Sequence, residues 1–533
     1  MNAELLAVLV AAVLLSALAR RFNLSSPLAL VVAGLLVGLI PGVPAVTLDP
    51  NLVLFVILPP LLWSAGLESS YLNMRRNIRA IGLLAVGLPL ATTFAVGFVA
   101  FRTVPDLTAA AALTLGAIVA PPDAVSATAI GRKLGLPRRM MTLLGGESLL
   151  NDATALTAYK VSLAAAIGAA ASWGHGIGTF GLAVVGGILV GAVLGKAIVL
   201  IRARLDDPLV ESAIGLVAPF VIYLIAEEVH GSGVLAVVVA ALFLGQHSTR
   251  AGYATRLQDD AVWRALQLVL ESFAFLLIGL QLPKVISELQ GIRFSVLAIS
   301  SVAVLATVIV VRIVWLFLFA YIPRLMFAHI REREPAPTPA QVFLIGWAGM
   351  RGVVSLAAAF AVPMTTLSGA PFPGRPHLIF LTFVVVIGTL LLHGLTLPWL
   401  VRRFGVQGDE AHTDVVRAAA AQTRAANAAA KRLNELIEEQ KKSGQPSDVH
   451  ERAAEVLSRW NTRRGDAAWE QLGRSADDIG ESPAAAFRRL RLEMLAAERE
   501  VLITERDEER IDDEVLRTLL HGLDLEEATL NRD

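Results

Sequence analysis

From Met1 to about Val401 the chain is one long apolar run after another, separated by short polar stretches. A helix that crosses the hydrocarbon core of a bilayer needs roughly 20 mainly apolar residues. Windows of that kind fall at 3–20, 26–40, 51–67, 79–101, 107–131, 139–168, 177–201, 208–226, 232–246, 262–282, 293–322, 340–365 and 376–401. They predict about thirteen transmembrane helices, of which 26–40 and 232–246 are short. Beyond about residue 405 the pattern changes to stretches rich in Ala, Leu, Glu and Arg, broken around Ser443–Asp448 and Gly480–Pro483. Patches such as Ala485–Leu492 read as solvated amphipathic helices. The expected fold class is therefore an all-α polytopic membrane protein, with a transmembrane domain over 1–405 and a helical tail over 406–533.

Charge adds the orientation. The loops after odd-numbered windows carry Arg20 and Arg21, Arg75, Arg76 and Arg79, Arg132, Lys133, Arg138 and Arg139, Arg202 and Arg204, and later Arg402 and Arg403. Those after even-numbered windows hold little beyond Arg102, Lys284, Arg293 and Arg375. Cytoplasmic loops are the arginine-rich ones, so the N-terminus is expected outside and the tail in the cytoplasm of a plasma-membrane protein. An odd count also suits two six-helix halves of opposite orientation joined by one linking helix, the inverted repeats common in transporters. Composition narrows the classes further. The chain is 55% hydrophobic and 17% charged, which excludes an ordinary soluble protein. Its 46 basic and 46 acidic residues cancel, which gives no sign of nucleic-acid binding, and the lack of cysteine excludes disulfides and thiolate metal sites. The chain opens directly on an apolar helix without a basic leader region or cleavage site, so no signal peptide is expected.

A few ionisable residues sit where the pattern allows none. Counting about 1.5 Å per residue from the cytoplasmic ends, Asp123 and Glu147 lie roughly 12 Å deep, Arg351 roughly 16 Å and Asp152 roughly 20 Å. That is too deep for snorkelling to the interface, and a charge at that depth needs a partner or a task. Within Gly146–Asp152, Ser148 and Asp152 are four residues apart and share one stripe of a helix, while Glu147 and Asn151 form the adjacent stripe. Such a helix can present Asp152 with Ser148 to a cavity and turn Glu147 towards a neighbour. Arg351 is the natural partner for Glu147, since each would otherwise be a buried unpaired charge. Glu271 and Arg312, on successive windows at roughly equal depth, form a second candidate ion pair. Asp123 follows Pro121-Pro122, which donate no backbone hydrogen bonds and must interrupt the helix. Interrupted helices expose carbonyls and helix-end dipoles at mid-membrane, where transporters bind ions. Gly346, Gly349 and Gly352 around Arg351 offer a second break, as does Gly388–Gly394. The histidines, mostly in loops or near helix ends, are assigned no role. These residues read as a site for a small cation and a proton.

At these positions the chain resembles the first family of monovalent cation:proton antiporters, of the sodium/proton exchanger type. Four stretches carry the resemblance: Leu58-Pro59-Pro60-Leu61-Leu62, the Pro122-Asp123 break, Gly146–Asp152 and Gly349-Met350-Arg351-Gly352. It extends over the membrane domain to about residue 405. The resemblance implies that Asp152 binds cation or proton alternately, that Ser148 and Asp123 help coordinate the transported Na+, and that Glu147 pairs with Arg351. It further implies a homodimer whose core domain moves like an elevator. Two departures stand out: Pro122 occupies a position that is often Thr in the family, and Ser64 one that is often acidic, with Glu68 one turn later as a candidate substitute.

One carboxylate that holds either a proton or a cation, and never crosses empty, gives obligatory exchange. Burial disfavours its charged form while helix dipoles and a bound cation favour it, so occupancy can switch near cellular pH. Asn151 beside Asp152 leaves no second titrating charge there, which predicts electroneutral one-for-one exchange of Na+, with Li+ or K+ as alternative cargo, for H+. A potassium/proton exchanger on the same fold is the competing reading, and a cation-sensing receptor signalling through the tail is a further one. No nucleophile–base pair points to an enzyme, and no cofactor is expected. The tail carries no glycine-rich nucleotide motif.

Overall fold

A computed structural model describes residues 3–22, 24–40, 52–105, 107–123, 128, 131, 134–169, 173–205, 207–248, 251–287, 289, 293–326, 336–406, 410–442, 452–462, 483–508, 510–511 and 513–531. Arg132, Lys133, the expected tail break at Ser443–Asp448 and Gly480 lie outside them. By internal packing the chain divides into Met1–Gly408 and Asp409–Asp533.

In the first unit the helices are α1 Ala3–Arg21, α2 Ser26–Gly38, α3 Leu58–Glu68, α4 Tyr71–Arg76, α5 Ile78–Thr103, α6 Ala109–Val119, α7 Arg138–Ala166 and α8 Trp173–Arg202. They continue as α9 Pro208–Glu228, α10 Gly233–His247, α11 Tyr253–Ser287, α12 Phe294–Met326, α13 Pro339–Trp347, α14 Val353–Phe360 and α15 Arg375–Phe404. Each apolar window read from the sequence overlaps at least one of these helices. Two windows are interrupted: 107–131 leaves its helix after Val119, and 340–365 is split into α13 and α14. The other suggested break is absent, since α15 runs unbroken through Gly388–Gly394. Among the described residues, six helices are long and apolar enough to cross a bilayer unaided, and α2, α3, α6 and α10 are shorter apolar ones.

Local chemistry sets where helices start. Thr108 and Ser232 cap α6 and α10 by accepting from Ala111 N and Leu235 N. Thr338 and Gln341 form a reciprocal capping box ahead of α13, with Pro339 where a missing N–H costs nothing. Small residues then let helix backbones meet, as membrane packing requires. Gly187, Gly191 and Gly195, one turn apart on α8, lie against Ser232, the cap of α10, and Ala236 and Ala240 within it. Gly34 of α2 and Gly279 of α11 meet so closely that a β-carbon at Gly279 would overlap the Val31 carbonyl. The larger apolar core joins α1, α2, α5–α7 and α11–α15, and a second joins α3, α9 and α10 to the other face of α7. Helix α7 therefore touches both cores.

The second unit contains α16 Glu410–Lys442, α17 over 452–462, α18 Pro483–Asp507 and α19 Asp513–Leu530. Asn461 donates to the Ala426 carbonyl at 2.7 Å. Helices α18 and α19 pair through buried Leu495 and Leu516 and through Arg491, which donates to both carboxylate oxygens of Glu526 at 2.7 and 2.8 Å.

Candidate functional site

The two interruptions meet. After α6 ends, Ala120–Asp123 continues without helical hydrogen bonds, as Pro121 and Pro122 dictate. Between α13 and α14, Ala348–Gly352 does the same. Asp123 N donates to Met350 O at 2.7 Å, so the two breaks pair backbone to backbone. Each break leaves helix-end carbonyls inside the protein, and each set is met by an arginine. Arg351 Nε donates to Val119 O at the end of α6, at 3.1 Å, and Nη1 donates to Gly349 O. Arg312 Nε donates to Gly346 O and Nη2 to Ile345 O at the end of α13, at 3.1 and 3.2 Å. A cation at a helix C-terminus offsets the negative end of the dipole as well as satisfying its carbonyls. Thr389 of α15 fixes the second break by accepting from Arg351 N at 3.0 Å.

Helix α7 runs beside both breaks. Gly146 admits Ile81 of α5, whose side chain a β-carbon there would strike at 2.6 Å. Glu147 and Arg312 are each 1% exposed and pair through both carboxylate oxygens, one bond being Nη2 to Oε2 at 2.8 Å. This corrects the expected pairing. Glu147 is held by Arg312, not Arg351, and Glu271 is not Arg312's partner. The reason is geometric: α12 places Arg312 beside Glu147, while Arg351 lies inside the second break facing the end of α6. Asn151 is fully buried and donates from Nδ2 to Pro122 O at 3.2 Å, tying α7 to the first break.

Ser148 and Asp152 face a cavity of about 850 Å³ bounded by α3, α7, α11, α14 and the first break. Asp123 and Glu68 also line it. Gly352 starts α14 without a side-chain cap, and a β-carbon on it would lie 2.8 Å from Asp123 Oδ2. The Asp123 carboxylate thus sits against the positive end of α14. Asp152 is 7% exposed, and among the described residues no basic side chain or hydrogen-bond donor meets it. The two buried acids of α7 are therefore treated oppositely: Glu147 is neutralised by Arg312, and Asp152 opens on the cavity. Two carboxylates and a serine hydroxyl on one polar cavity can supply oxygen ligands to a small cation, and the carboxylates can hold a proton instead.

Sequence reasoning missed three residues here. Thr389 and Ser355 carried no signal, being ordinary hydroxyls on apolar helices. His393, given no role, is 1% exposed beside the Trp347 ring, with centroids 5.0 Å apart.

Comparison with known proteins gives a consistent picture. Residues 7–403 match the family model of the sodium/hydrogen exchanger transmembrane region. A protein of Mycobacterium tuberculosis named an uncharacterized Na+/H+ exchanger is 36% identical over 543 residues, covering 98% of this chain and 95% of that one. A sodium, potassium, lithium and rubidium/H+ antiporter of Bacillus pumilus is 32% identical over 385 residues, or 70% of this chain and 57% of that one. Among solved structures, the sodium proton antiporter MjNhaP1 of Methanocaldococcus jannaschii superposes with a TM-score of 0.59 at 18% identity, covering 74% of this chain and 96% of that one. That likeness establishes the shared fold.

Proposed function

The chain belongs to the sodium/hydrogen exchanger family of multi-pass membrane antiporters, and we propose that it exchanges Na+ for H+ across the plasma membrane at Asp152. The observation that carries this reading is the contrast within α7. Only Asp152, of its two buried acids, lacks a neutralising partner among the described residues, and it faces a polar cavity. A carboxylate at that depth without a counter-ion is tolerated where it handles an ion. Asp123 and Ser148 complete the oxygen set for Na+, and Asn151 braces the first break. The Glu147–Arg312 pair and Arg351 are structural, holding α7, α12 and the ends of α6 and α13 in place.

Exchange follows from competition. A proton or a cation neutralises Asp152, and only a neutralised carboxylate crosses the apolar barrier cheaply. With Asn151 uncharged, one carrier acid moves per cycle and exchange is one-for-one and electroneutral. Two inverted repeats, an elevator-type movement of the core, a homodimer, an outside N-terminus and a cytoplasmic tail over 406–533 complete the proposal. Potassium exchange is the second reading, favoured by the relative whose name includes potassium and rubidium.

The test uses protein in liposomes with a trapped pH dye and an imposed proton gradient. Addition of Na+, Li+ or K+ collapses the gradient with wild type and leaves it intact with Asp152→Asn. Exchange surviving in Asp152→Asn would reject Asp152 as carrier. A rate that follows imposed voltage at fixed gradients would reject electroneutrality.

A further inference from the structure

Three acids on the cavity, Glu68, Asp260 and Glu271, are not used by the exchange cycle above. Helix α11 forms part of the cavity wall and places Glu271 on it. Glu271 Oε1 accepts from Gln267 Nε2 at 2.7 Å, and Gln267 Oε1 accepts from Ser64 Oγ of α3 at 3.4 Å. This chain of contacts orients the carboxylate without neutralising it, because an amide brings a dipole and no charge. Among the described residues no lysine, arginine or histidine is within ion-pair distance of Glu271. A half-buried acid on an apolar helix, held in place and left unpaired, is arranged for a mobile cation rather than for packing. Ser355 supplies an independent sign of a ligand in the same cavity. It is 1% exposed in the first turn of α14, lines the cavity, and its Oγ has no hydrogen-bond partner among the described residues. Buried hydroxyls in polar cavities are ordinarily satisfied, by water or ion where protein is absent. The other charged groups around this space are Arg20 of α1, Glu68 of α3, Arg138 of α7, Asp260 and Arg264 of α11, and Asp123 and Asp152 themselves.

From this placement we infer that Glu271, held by Gln267, is a second cation station, which binds a monovalent cation in the cavity and passes it to Asp152. Because Glu271 belongs to α11 and Asp152 to α7, and both line the same cavity, the transfer takes place within it. The inference rests on the exchange reading of Asp152 and deepens it: Asp152 carries the ion through the barrier, and Glu271 raises the local cation concentration from which it loads.

The liposome assay tests this with Na+ concentration as the variable, using wild type, Glu271→Gln, Glu271→Asp and Asp152→Asn. Glu271→Gln raises the apparent KM for Na+ by about tenfold with a smaller effect on the rate at saturating Na+, the signature of lost binding rather than lost turnover. Glu271→Asp, which keeps the charge, stays within about threefold of wild type. A wild-type KM in Glu271→Gln, with wild type active and Asp152→Asn silent, overturns the station and leaves the carrier intact. Equal loss of the saturating rate in both Glu271 variants also overturns it, showing a packing role. Should Glu271→Gln fail to insert, Gln267→Leu keeps the acid and removes its tether, and an unchanged KM there overturns the proposal. Wild type silent to every cation would reject the exchange reading and this one with it.

Discussion

Replacing Arg312 by leucine tests how the buried charges are wired. Arg312 and Glu147 are each 1% exposed, and the guanidinium also serves the Ile345 and Gly346 carbonyls at the end of α13. Arg312→Leu removes one partner of a buried pair, which costs about 3–5 kcal/mol because the other charge is left uncompensated. Each orphaned carbonyl adds about 1 kcal/mol. A total loss of about 5 kcal/mol or more is comparable with the whole stability of many folded proteins. The assay is the fraction of detergent-solubilised protein that stays monodisperse after heating, followed by fluorescence-detected size exclusion. Arg312→Leu should yield little folded protein. Adding Glu147→Gln should recover part of it, by about 2–3 kcal/mol, since no buried charge then stands alone. The same addition to Arg351→Leu should recover nothing, because Arg351 faces carbonyls of Val119 and Gly349. Rescue of Arg351→Leu, or equal rescue of both, would refute the wiring.

Three further outcomes follow from the packing. Asn151→Ala leaves the Pro122 carbonyl without its donor in a dry site, costing about 1–3 kcal/mol and lowering exchange; wild-type thermal stability would contradict it. Gly279→Ala places a methyl against the Val31 carbonyl and should abolish recovery of folded protein, whereas Gly394→Ala, with open space around it, should be tolerated. In the tail, the Arg491 guanidinium beside Glu526 holds that carboxyl below its ordinary value of 4.5. The pairing contributes above that value and is lost as pH falls through the depressed one. Amide-exchange protection of α18 and α19 should therefore drop on acidification below about pH 4.5, and Glu526→Gln should lower it at neutral pH and flatten the response; an unchanged profile would refute the pairing.

The helices were legible because bilayer-length apolar runs have few alternatives in a chain this hydrophobic. The first break was legible as well, since Pro121 and Pro122 lack the N–H that a continuing helix needs. The second was ambiguous, because glycine permits a break without requiring one: Gly349 and Gly352 flank an interruption, while α15 passes straight through Gly388–Gly394. The stripe of Ser148 and Asp152 followed from helix spacing alone, and both line one cavity.

Partnership was not legible. The need to neutralise buried charges made Glu147 and Arg351 look like a pair, and equal depth did the same for Glu271 and Arg312, yet neither says anything about rotation or about which helices are neighbours. Tertiary structure brought α12 beside Glu147, turned Arg351 to the end of α6, and left Glu271 with an amide. By itself the sequence determined a helical membrane protein with acids at mid-depth and a proline-broken helix, because bilayer thickness and backbone hydrogen bonding act on local sequence. Only the packing of distant helices decided which acid is neutralised and which opens on the cavity, because a charge is satisfied by neighbours in space and not by neighbours in the chain.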